Sequence, residues 1–255
     1  MGVQVEEKSA PFRKSAVLLG VRVDDVTWEE ALARMEEFVQ EGGPHQIVTV
    51  NPEFIVAAQE DAEFRAILNA ADLSLPDGIG VVWASRLLGR PLRERVAGSD
   101  LVPEIAALAA KRGYRLFLLG AAPGVAEEAA RRLREHNPGL VVAGTYAGSP
   151  AVEEEDEIVA LVRAARPHVL FVAYGAPAQD KWIARNLGRL GVPVCMGVGG
   201  ALDFIAGVAV RAPRWMQRLG LEWLHRLWHE PWRWRRMLAL PKFVWLVMQA
   251  YLTKG

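Results

Sequence analysis

Polar side chains that could act on a substrate follow several apolar runs of this sequence. Asp77 is the most suggestive of them, because it ends a short apolar run that begins at Leu73 and is followed at once by Gly78 and Gly80. A carboxylate in such a position can accept a proton, and glycines allow a ligand to approach the backbone closely. Asp77 could equally cap the helix that follows. The local pattern alone does not distinguish a general base from a helix cap.

Other apolar runs also end in residues that could bind a ligand. In an open parallel sheet the ligand lies beyond the carboxyl ends of the strands. The residues expected at that edge are Thr49, Asn51, Gly120, Tyr146, Gln179 and Asp203. Asp203 could bind a ribose hydroxyl, and Arg95, after the helix that follows Asp77, could neutralise a phosphate. Each residue alone is a weak signal, because caps and surface polar groups explain most such residues in α/β proteins.

Common catalytic and cofactor-binding motifs are absent from the sequence. It has no G-x-S-x-G, no G-x-x-x-x-G-K-[ST] and no D-x-D, and the glycines at 120 and 124 do not form G-x-G-x-x-G. The five histidines are scattered, and the acidic run at 153–157 is predicted to be the solvated start of a helix. We therefore expect no metal and no cofactor. An anionic leaving group would then be held by arginines and helix N-termini.

The elements that would position these residues alternate along the chain. Strands are predicted at 16–23, 46–50, 72–75, 114–119, 140–146, 169–174 and 192–198, and the segments between them have helical patterns. Thr27, Asn51 and the pair Ser99–Asp100 are expected to cap three of the helices. This alternation predicts an α/β fold with a Rossmann-like, mostly parallel sheet and helices on both faces.

The charge distribution separates an acidic body from a basic tail. The 255 residues have a formal net charge of zero, but residues 1–210 carry 21 basic and 28 acidic side chains, whereas residues 211–255 carry nine and two. We predict a flexible leader at 1–13, an α/β catalytic domain at 14–210 and a helical appendage at 211–255. The leader does not resemble a signal peptide. The single cysteine, Cys195, lies in an apolar run, which is typical of a buried thiol in a reducing, cytoplasmic compartment.

The appendage is rich in tryptophan and amphipathic. It contains six of the nine tryptophans, and no apolar run in the chain reaches the ~18 residues that a membrane-spanning helix needs. One helical arc is apolar: Trp215, Leu219, Trp223, Leu224, Leu227 and Trp228. The opposite side is basic: Arg211, Arg214, Arg218 and His225. This pattern favours a helix that lies on an anionic membrane surface. The alternative is a helical hairpin packed on its own domain or on a partner chain.

Six collinear motifs and the start of the appendage resemble a known family. They are N-P-E at 51–53, L-P-D-G-I-G at 75–80, R-V-A-G-S-D at 95–100, L-L-G-A-A-P-G at 118–124, G-A-P-A-Q-D-K-W at 175–182, G-V-G-G-A-L-D-F-I-A-G at 197–207 and R-A-P-R-W-M-Q-R-L-G-L-E-W-L-H-R-L at 211–227. Over roughly residues 15–240 the chain is similar to the WecG/TagA/CpsF glycosyltransferases. The resemblance is specific for the family and much less specific for the sugar.

The resemblance implies an inverting, metal-independent transfer of N-acetylmannosamine from its UDP donor. The acceptor would be the C4 hydroxyl of N-acetylglucosamine on undecaprenyl diphosphate, in teichoic acid linkage-unit synthesis at the inner face of the membrane. A uronic acid of the same sugar, or glucose in exopolysaccharide synthesis, would fit the donor pocket equally well.

The resemblance also implies roles for individual residues. Asp77 matches the proposed general base. The donor pocket would be lined by Thr49, Asn51, Arg95, Gln179 and Asp203. Arginines of the appendage would complete the site, with Arg226, Arg233 and Arg236 as candidates. The apolar appendage is also compatible with a homo-oligomer.

A non-catalytic function is the distant alternative. A nucleotide-binding scaffold could use the basic tail to bind nucleic acid, and its tryptophans could stack on single-stranded bases. The tryptophans share their arc with leucines, however, and this composition favours lipid over bases. We therefore expect no nucleic-acid partner.

Overall fold

The computed structural model of the chain describes residues 14–213, 215–216, 221–231 and 234–253, so that the predicted leader lies outside the described residues. Within these ranges the strands are β1 (Ser15–Leu18), β2 (Val21–Asp24), β3 (His45–Val50), β4 (Leu73–Pro76), β5 (Arg115–Gly120), β6 (Val141–Tyr146), β7 (Val169–Ala173) and β8 (Val194–Gly197). The helices are α1 (Trp28–Glu41), α2 (Pro52–Glu60), α3 (Ala62–Ala70), α4 (Ile79–Leu87), α5 (Gly98–Arg112), α6 (Val125–His136), α7 (Glu155–Ala165), α8 (Ala178–Leu190), α9 (Ala201–Ala206), α10 (Glu222–His229), α11 (Trp234–Met237) and α12 (Ala239–Leu252).

Six of the strands form one parallel sheet in the order β4-β3-β8-β7-β5-β6. Successive side chains point to opposite faces of the sheet. Leu116 and Leu118 therefore pack with α1, α5, α6 and α9 on one face, while Phe117 and Leu119 pack with α7 and α8 on the other. The Rossmann-like fold predicted from the alternating pattern is confirmed, and the acidic run at 153–157 does begin a helix, α7.

The first predicted strand is wrong in one respect, because residues 16–23 form a hairpin rather than one strand. β1 and β2 pair antiparallel in a separate two-stranded sheet, and the chain turns at Leu19 and Gly20. Both turn residues have positive φ, 51° and 81°. A two-residue hairpin requires this backbone. Leucine is not a typical turn residue, so the apolar run concealed the turn.

Two helix boundaries also differ from the prediction. The segment 52–70 is split at Asp61, whose side chain accepts a hydrogen bond from Phe64 N and begins α3. At the start of α5 the cap is Ala97, which has no polar side chain, and Ser99 lies inside the first turn. The predicted cap at Ser99–Asp100 is therefore wrong. The caps at Thr27 and Asn51 are confirmed, since each side chain accepts a backbone N–H of its helix.

The C-terminal helix packs on its own domain. Phe243 and Val247 of α12 are buried in the same hydrophobic cluster as Val48 and Val50 of β3 and the apolar residues of α2. By contrast, Trp228 of α10 is 82% exposed. The packed alternative therefore describes α12, and the membrane-surface interpretation stays a prediction for α10. In the described part of the chain, no helix combines the length and hydropathy that crossing a bilayer requires.

Candidate active site

A cavity of about 1050 Å³ opens beyond the carboxyl ends of β3, β4, β7 and β8. Eight of the residues singled out in the sequence line it: Thr49, Asn51, Asp77, Arg95, Gln179, Asp203, Arg226 and Arg236. They come from seven segments of the chain: the end of β3 with the residue after it, the loops after β4 and α4, and the helices α8, α9, α10 and α11. The fold therefore gathers most of the candidate residues at one place, as the strand-end argument predicted.

Gly120 and Tyr146 are not among the described residues that line this cavity. They end β5 and β6, which lie at the other end of the sheet from β4 and β3. Gly120 instead allows close packing, because a Cβ on it would lie 2.8 Å from the carbonyl carbon of Ala173. Tyr146 packs against the hydrophobic cluster beneath α7 and α8. The structure does not bring these two residues to the site, and Arg233 lies outside the described residues.

Asp77 is not the cap of α4. The N-cap is Gly78, which has a φ of 98° and no side chain to cap with. The Asp77 backbone N–H donates to Val50 O at 2.9 Å, and its Oδ2 accepts a long hydrogen bond from Gly98 N at 3.5 Å. A Cβ on Gly98 would lie only 2.8 Å from Thr49 Cγ2. Glycine at this position therefore lets the start of α5 approach both β3 and the Asp77 carboxylate.

The surroundings of Asp77 favour its protonated form. Burial in the cavity raises the pKa of Asp77 to about 7; Arg95 and the hydrogen bond from Gly98 oppose this shift, while Glu222 and Asp100 add to it. Loss of solvation disfavours a carboxylate more than one nearby guanidinium can offset here. A carboxyl group with a pKa near the working pH is suited to general base catalysis.

Arg95 belongs to a network of four charged groups beside Asp77. Its guanidinium lies 3.3 Å from Asp100 Oδ2 and 3.8 Å from Glu222 Oε2. Arg211 pairs with the same two acids, at 2.5 Å and 3.5 Å. The network therefore joins the start of α5 to α10 of the appendage. Nothing in the sequence pattern indicated that Glu222 lies at the site, because its partner Arg95 is more than 100 positions away.

Gln179 holds two loops together. Its Oε1 accepts hydrogen bonds from Gly175 N at 3.1 Å and from Gly199 N at 3.0 Å. Both glycines have positive φ, 78° and 50°. The side chain thus fixes the loop after β7 to the loop after β8, and its carbonyl oxygen is already engaged. Its contribution to a binding site is through the positions of these loops.

Asp180 is fully buried beside Gln179 and against Gly197. Burial raises the pKa of Asp180 from an ordinary 3.8 to about 7. Since the unfolded chain loses this proton at lower pH than the folded chain, the fold is destabilised as pH rises from about 4 to about 7 and no further above that.

Asp180→Asn should therefore raise the melting temperature of the protein much more at pH 8 than at pH 4, where the carboxyl group of the unfolded chain is still largely protonated. The gain in the free energy of unfolding at pH 8 is at most about 4 kcal/mol, since a tenfold change in proton affinity corresponds to about 1.4 kcal/mol. Thermal unfolding at the two pH values measures it. Asp156→Asn, at an exposed position, is the control and should show no such pH-dependent gain. An equal effect of Asp180→Asn at both pH values would contradict the argument.

Two arginines of the appendage reach the cavity. The Arg226 guanidinium of α10 lies over the Phe204 ring at 4.9 Å. A Cβ on Gly200 would lie 2.5 Å from its Nη2, so glycine there makes room for it. Arg236 of α11 binds Glu53 in the first turn of α2, with nitrogens 2.7 Å and 3.0 Å from Oε2. These contacts place positive charge at the rim of the site.

Further lining residues were not singled out from the sequence. Tyr174 directly follows β7, so that the strand-end rule could have found it. Trp83 of α4 and Phe204 of α9 carried no recognisable signal. Among the described residues, no three His, Cys, Asp or Glu side chains are grouped as ligands for a metal ion.

The sequence of this chain is similar to those of known proteins. The sequence model of the glycosyl transferase WecG/TagA/CpsF family matches residues 16–255. A Bacillus spizizenii protein named N-acetylglucosaminyldiphosphoundecaprenol N-acetyl-beta-D-mannosaminyltransferase is 39% identical over 203 residues, which are 80% of this chain and 78% of that protein. A Staphylococcus aureus protein with the same name is 31% identical over 249 residues, 96% of each chain. The resemblance noted in the motifs is therefore confirmed, and the chain belongs to the WecG/TagA/CpsF family of glycosyltransferases.

Proposed function

We propose that this protein transfers N-acetylmannosamine from UDP-N-acetylmannosamine to the C4 hydroxyl of N-acetylglucosamine carried on undecaprenyl diphosphate. The names of its relatives support the sugar and the acceptor. The observation that carries the proposal is the Asp77 carboxyl group, which faces a large cavity rimmed by guanidinium groups and has a pKa of about 7. The reaction needs one group to accept a proton and others to bind a departing diphosphate.

Each group has a role in the reaction. Asp77 accepts the proton of the acceptor C4 hydroxyl as that oxygen attacks the anomeric carbon of the donor. The bond from this carbon to the diphosphate oxygen breaks, and UDP leaves with the bonding electrons. Attack on the face opposite the leaving group inverts the anomeric centre. Arg95 and Arg226 offset the negative charge on the leaving diphosphate, so the proposed reaction requires no metal ion or other cofactor.

The donor is proposed to bind among the loops after β3, β7 and β8. Asp203 can accept hydrogen bonds from ribose hydroxyls. Asn51 uses Oδ1 to cap α2, at 3.0 Å from Phe54 N, and this leaves its amide N–H groups to donate. Thr49 and Gln179 act through packing and loop position, as their contacts with Gly98, Gly175 and Gly199 indicate.

A panel of UDP-sugars with an N-acetylglucosaminyl diphosphate-lipid acceptor tests the activity. Mass spectrometry should detect one added N-acetylhexosamine with UDP-N-acetylmannosamine and at most slow transfer from its uronic acid or from UDP-glucose. Preferred transfer of either other sugar would correct the donor. No transfer from any member of the panel would overturn the proposal.

The proposed acceptor remains in the membrane, so the enzyme would act while attached peripherally to the inner face. Exposed tryptophans of the appendage support this location, since tryptophan and basic residues favour the membrane interface. Association of copies of the chain into a homo-oligomer stays a prediction.

Trp228→Ser should weaken binding to vesicles of mixed neutral and anionic phospholipid by about tenfold, because an exposed indole loses its apolar contact. Vesicle co-sedimentation measures the change. Val152→Ser, at a position 66% exposed on the turn before α7, is the control and should bind normally. Equal losses for both variants would argue against a role for α10.

A further inference from the structure

The active-site cavity continues into an apolar slot between α4 and α12. Its walls are Trp83 and Leu87 from α4 and Leu240, Val244, Val247 and Met248 from α12. The polar residues around Asp77 and this slot line one continuous cavity. The slot therefore opens directly onto the reacting centre.

Close packing at one glycine joins the slot to the polar part of the cavity. A Cβ on Gly80 would lie 3.2 Å from Pro52 Cγ and 3.8 Å from Phe243 Cε1. The starts of α2 and α4 and the side of α12 consequently meet at this point. Asp77 is only three residues before Gly80, so the slot begins within a short distance of the carboxylate.

The slot walls are apolar although they are accessible. Trp83 is 65% and Val244 is 59% exposed, and Leu87 and Met248 are also exposed. Trp83 and Leu87 are four residues apart on one helix, as are Val244 and Met248 on the other, so each pair forms a strip along one helical face. Large apolar groups left accessible in a concave site usually mark a place where an apolar ligand binds.

The same cavity is also lined by a cation, Arg236. Arg236 is held by Glu53, in the turn of α2 that also contains Pro52. The cavity thus presents a carboxylate, a guanidinium group and an apolar slot. A ligand composed of a sugar, a diphosphate and a long hydrocarbon chain has one group suited to each of them.

We infer that the slot between α4 and α12 binds the first isoprene units of the acceptor's polyprenyl chain while the sugar lies at Asp77. This inference rests on the proposed function and adds a binding site for the lipid itself. It assigns to α4, an element of the catalytic domain, a lipid contact that the tail composition alone would place entirely in the appendage.

Acceptors that differ only in the chain on the diphosphate test the slot. Ethyl, farnesyl and undecaprenyl compounds would be compared in detergent micelles without a bilayer. For the unaltered protein, kcat/KM should rise from ethyl to farnesyl, chiefly through a lower KM. Val244→Trp fills the slot but keeps the surface apolar. The ratio of kcat/KM for farnesyl to that for ethyl should then fall about tenfold, since a few methylene contacts have that effect on discrimination.

Two further variants separate the slot from general surface adhesion. Trp83→Ser should lower the same farnesyl-to-ethyl ratio. Trp245→Ser alters an indole that is 57% exposed on α12 but is outside the described cavity lining, and it should leave the ratio unchanged. Adhesion of an apolar surface to micelles predicts instead that Val244→Trp is harmless and that both tryptophan variants act alike.

The inference is overturned if the unaltered protein does not distinguish ethyl from farnesyl, or if Val244→Trp leaves the ratio unchanged. The proposed function has its own test, which is transfer to the ethyl compound. The ethyl chain is too short to reach the slot, so failure of this transfer would contradict the function and not the slot. Transfer to the ethyl acceptor without any effect of chain length would retain the function and refute the slot.

Discussion

Asp77→Asn is expected to lower kcat for sugar transfer by about 10²–10⁴-fold, the usual contribution of a general base. Asparagine has nearly the same shape and can still accept the hydrogen bond from Gly98 N. It cannot accept the proton of the acceptor hydroxyl. The affinity for UDP-sugar should therefore change little. Product formation followed by mass spectrometry gives kcat, and calorimetric titration with the UDP-sugar gives the affinity.

The pH profile provides a second readout of the same residue. Because the pKa of Asp77 is about 7, kcat/KM of the unaltered protein should fall below pH 7, with about one tenth of the carboxyl groups ionised at pH 6. The residual activity of Asp77→Asn should lack this step. Asp156→Asn is the control, since Asp156 is exposed on α7 and is not a described lining residue, and it should keep both the turnover and the pH step. Near-normal turnover by Asp77→Asn would refute the role as base.

The alternation of strands and helices could be predicted because it depends on local apolar patterns. The surroundings of the Asp77 carboxylate could not, since they include Gly98 N, which is 21 positions away. The order of the strands in the sheet, which the sequence also does not show, decided which of the other candidates reach the cavity. Gly120 and Tyr146 gave the same strand-end signal as Thr49, but β5 and β6 lie at the far end of the sheet. A local pattern marks the end of a strand and not which strands are neighbours.

For the appendage, too, the sequence pattern predicts the helices but not their contacts. Its amphipathic pattern correctly indicates helices with one apolar side, but a helical wheel does not show what covers that side. For α12 part of the cover is α2, through Phe243 and Val247. For α10 the structure leaves Trp228 open. Where α10 approaches the cavity, Glu222 lies beside Arg95 of a distant segment, and this pair could be found only from the fold.

Arg226→Gln is expected to lower kcat by about 10²–10³-fold, the usual effect of removing one group that stabilises transition-state charge. Arg226 lines the cavity beside Gly200 and over Phe204. This position is suited to neutralising a diphosphate as it leaves. Arg226→Lys retains the charge but not the planar, bidentate group, so it should recover part of the loss. Steady-state kinetics with the ethyl acceptor would measure kcat and KM without any requirement for a membrane.

The control for Arg226 is another arginine of the appendage. Arg235 stacks on the ring of Trp234 and is outside the described lining of the cavity. Arg235→Gln removes the same charge from the appendage and should leave kcat with the ethyl acceptor unchanged. If both variants reduced kcat equally, the tail would act through its overall charge. If Arg226→Gln raised only KM, Arg226 would bind the donor equally in the ground state and the transition state. A fall in kcat confined to Arg226→Gln, with an unchanged melting temperature, is the result that places an appendage residue in the reaction itself.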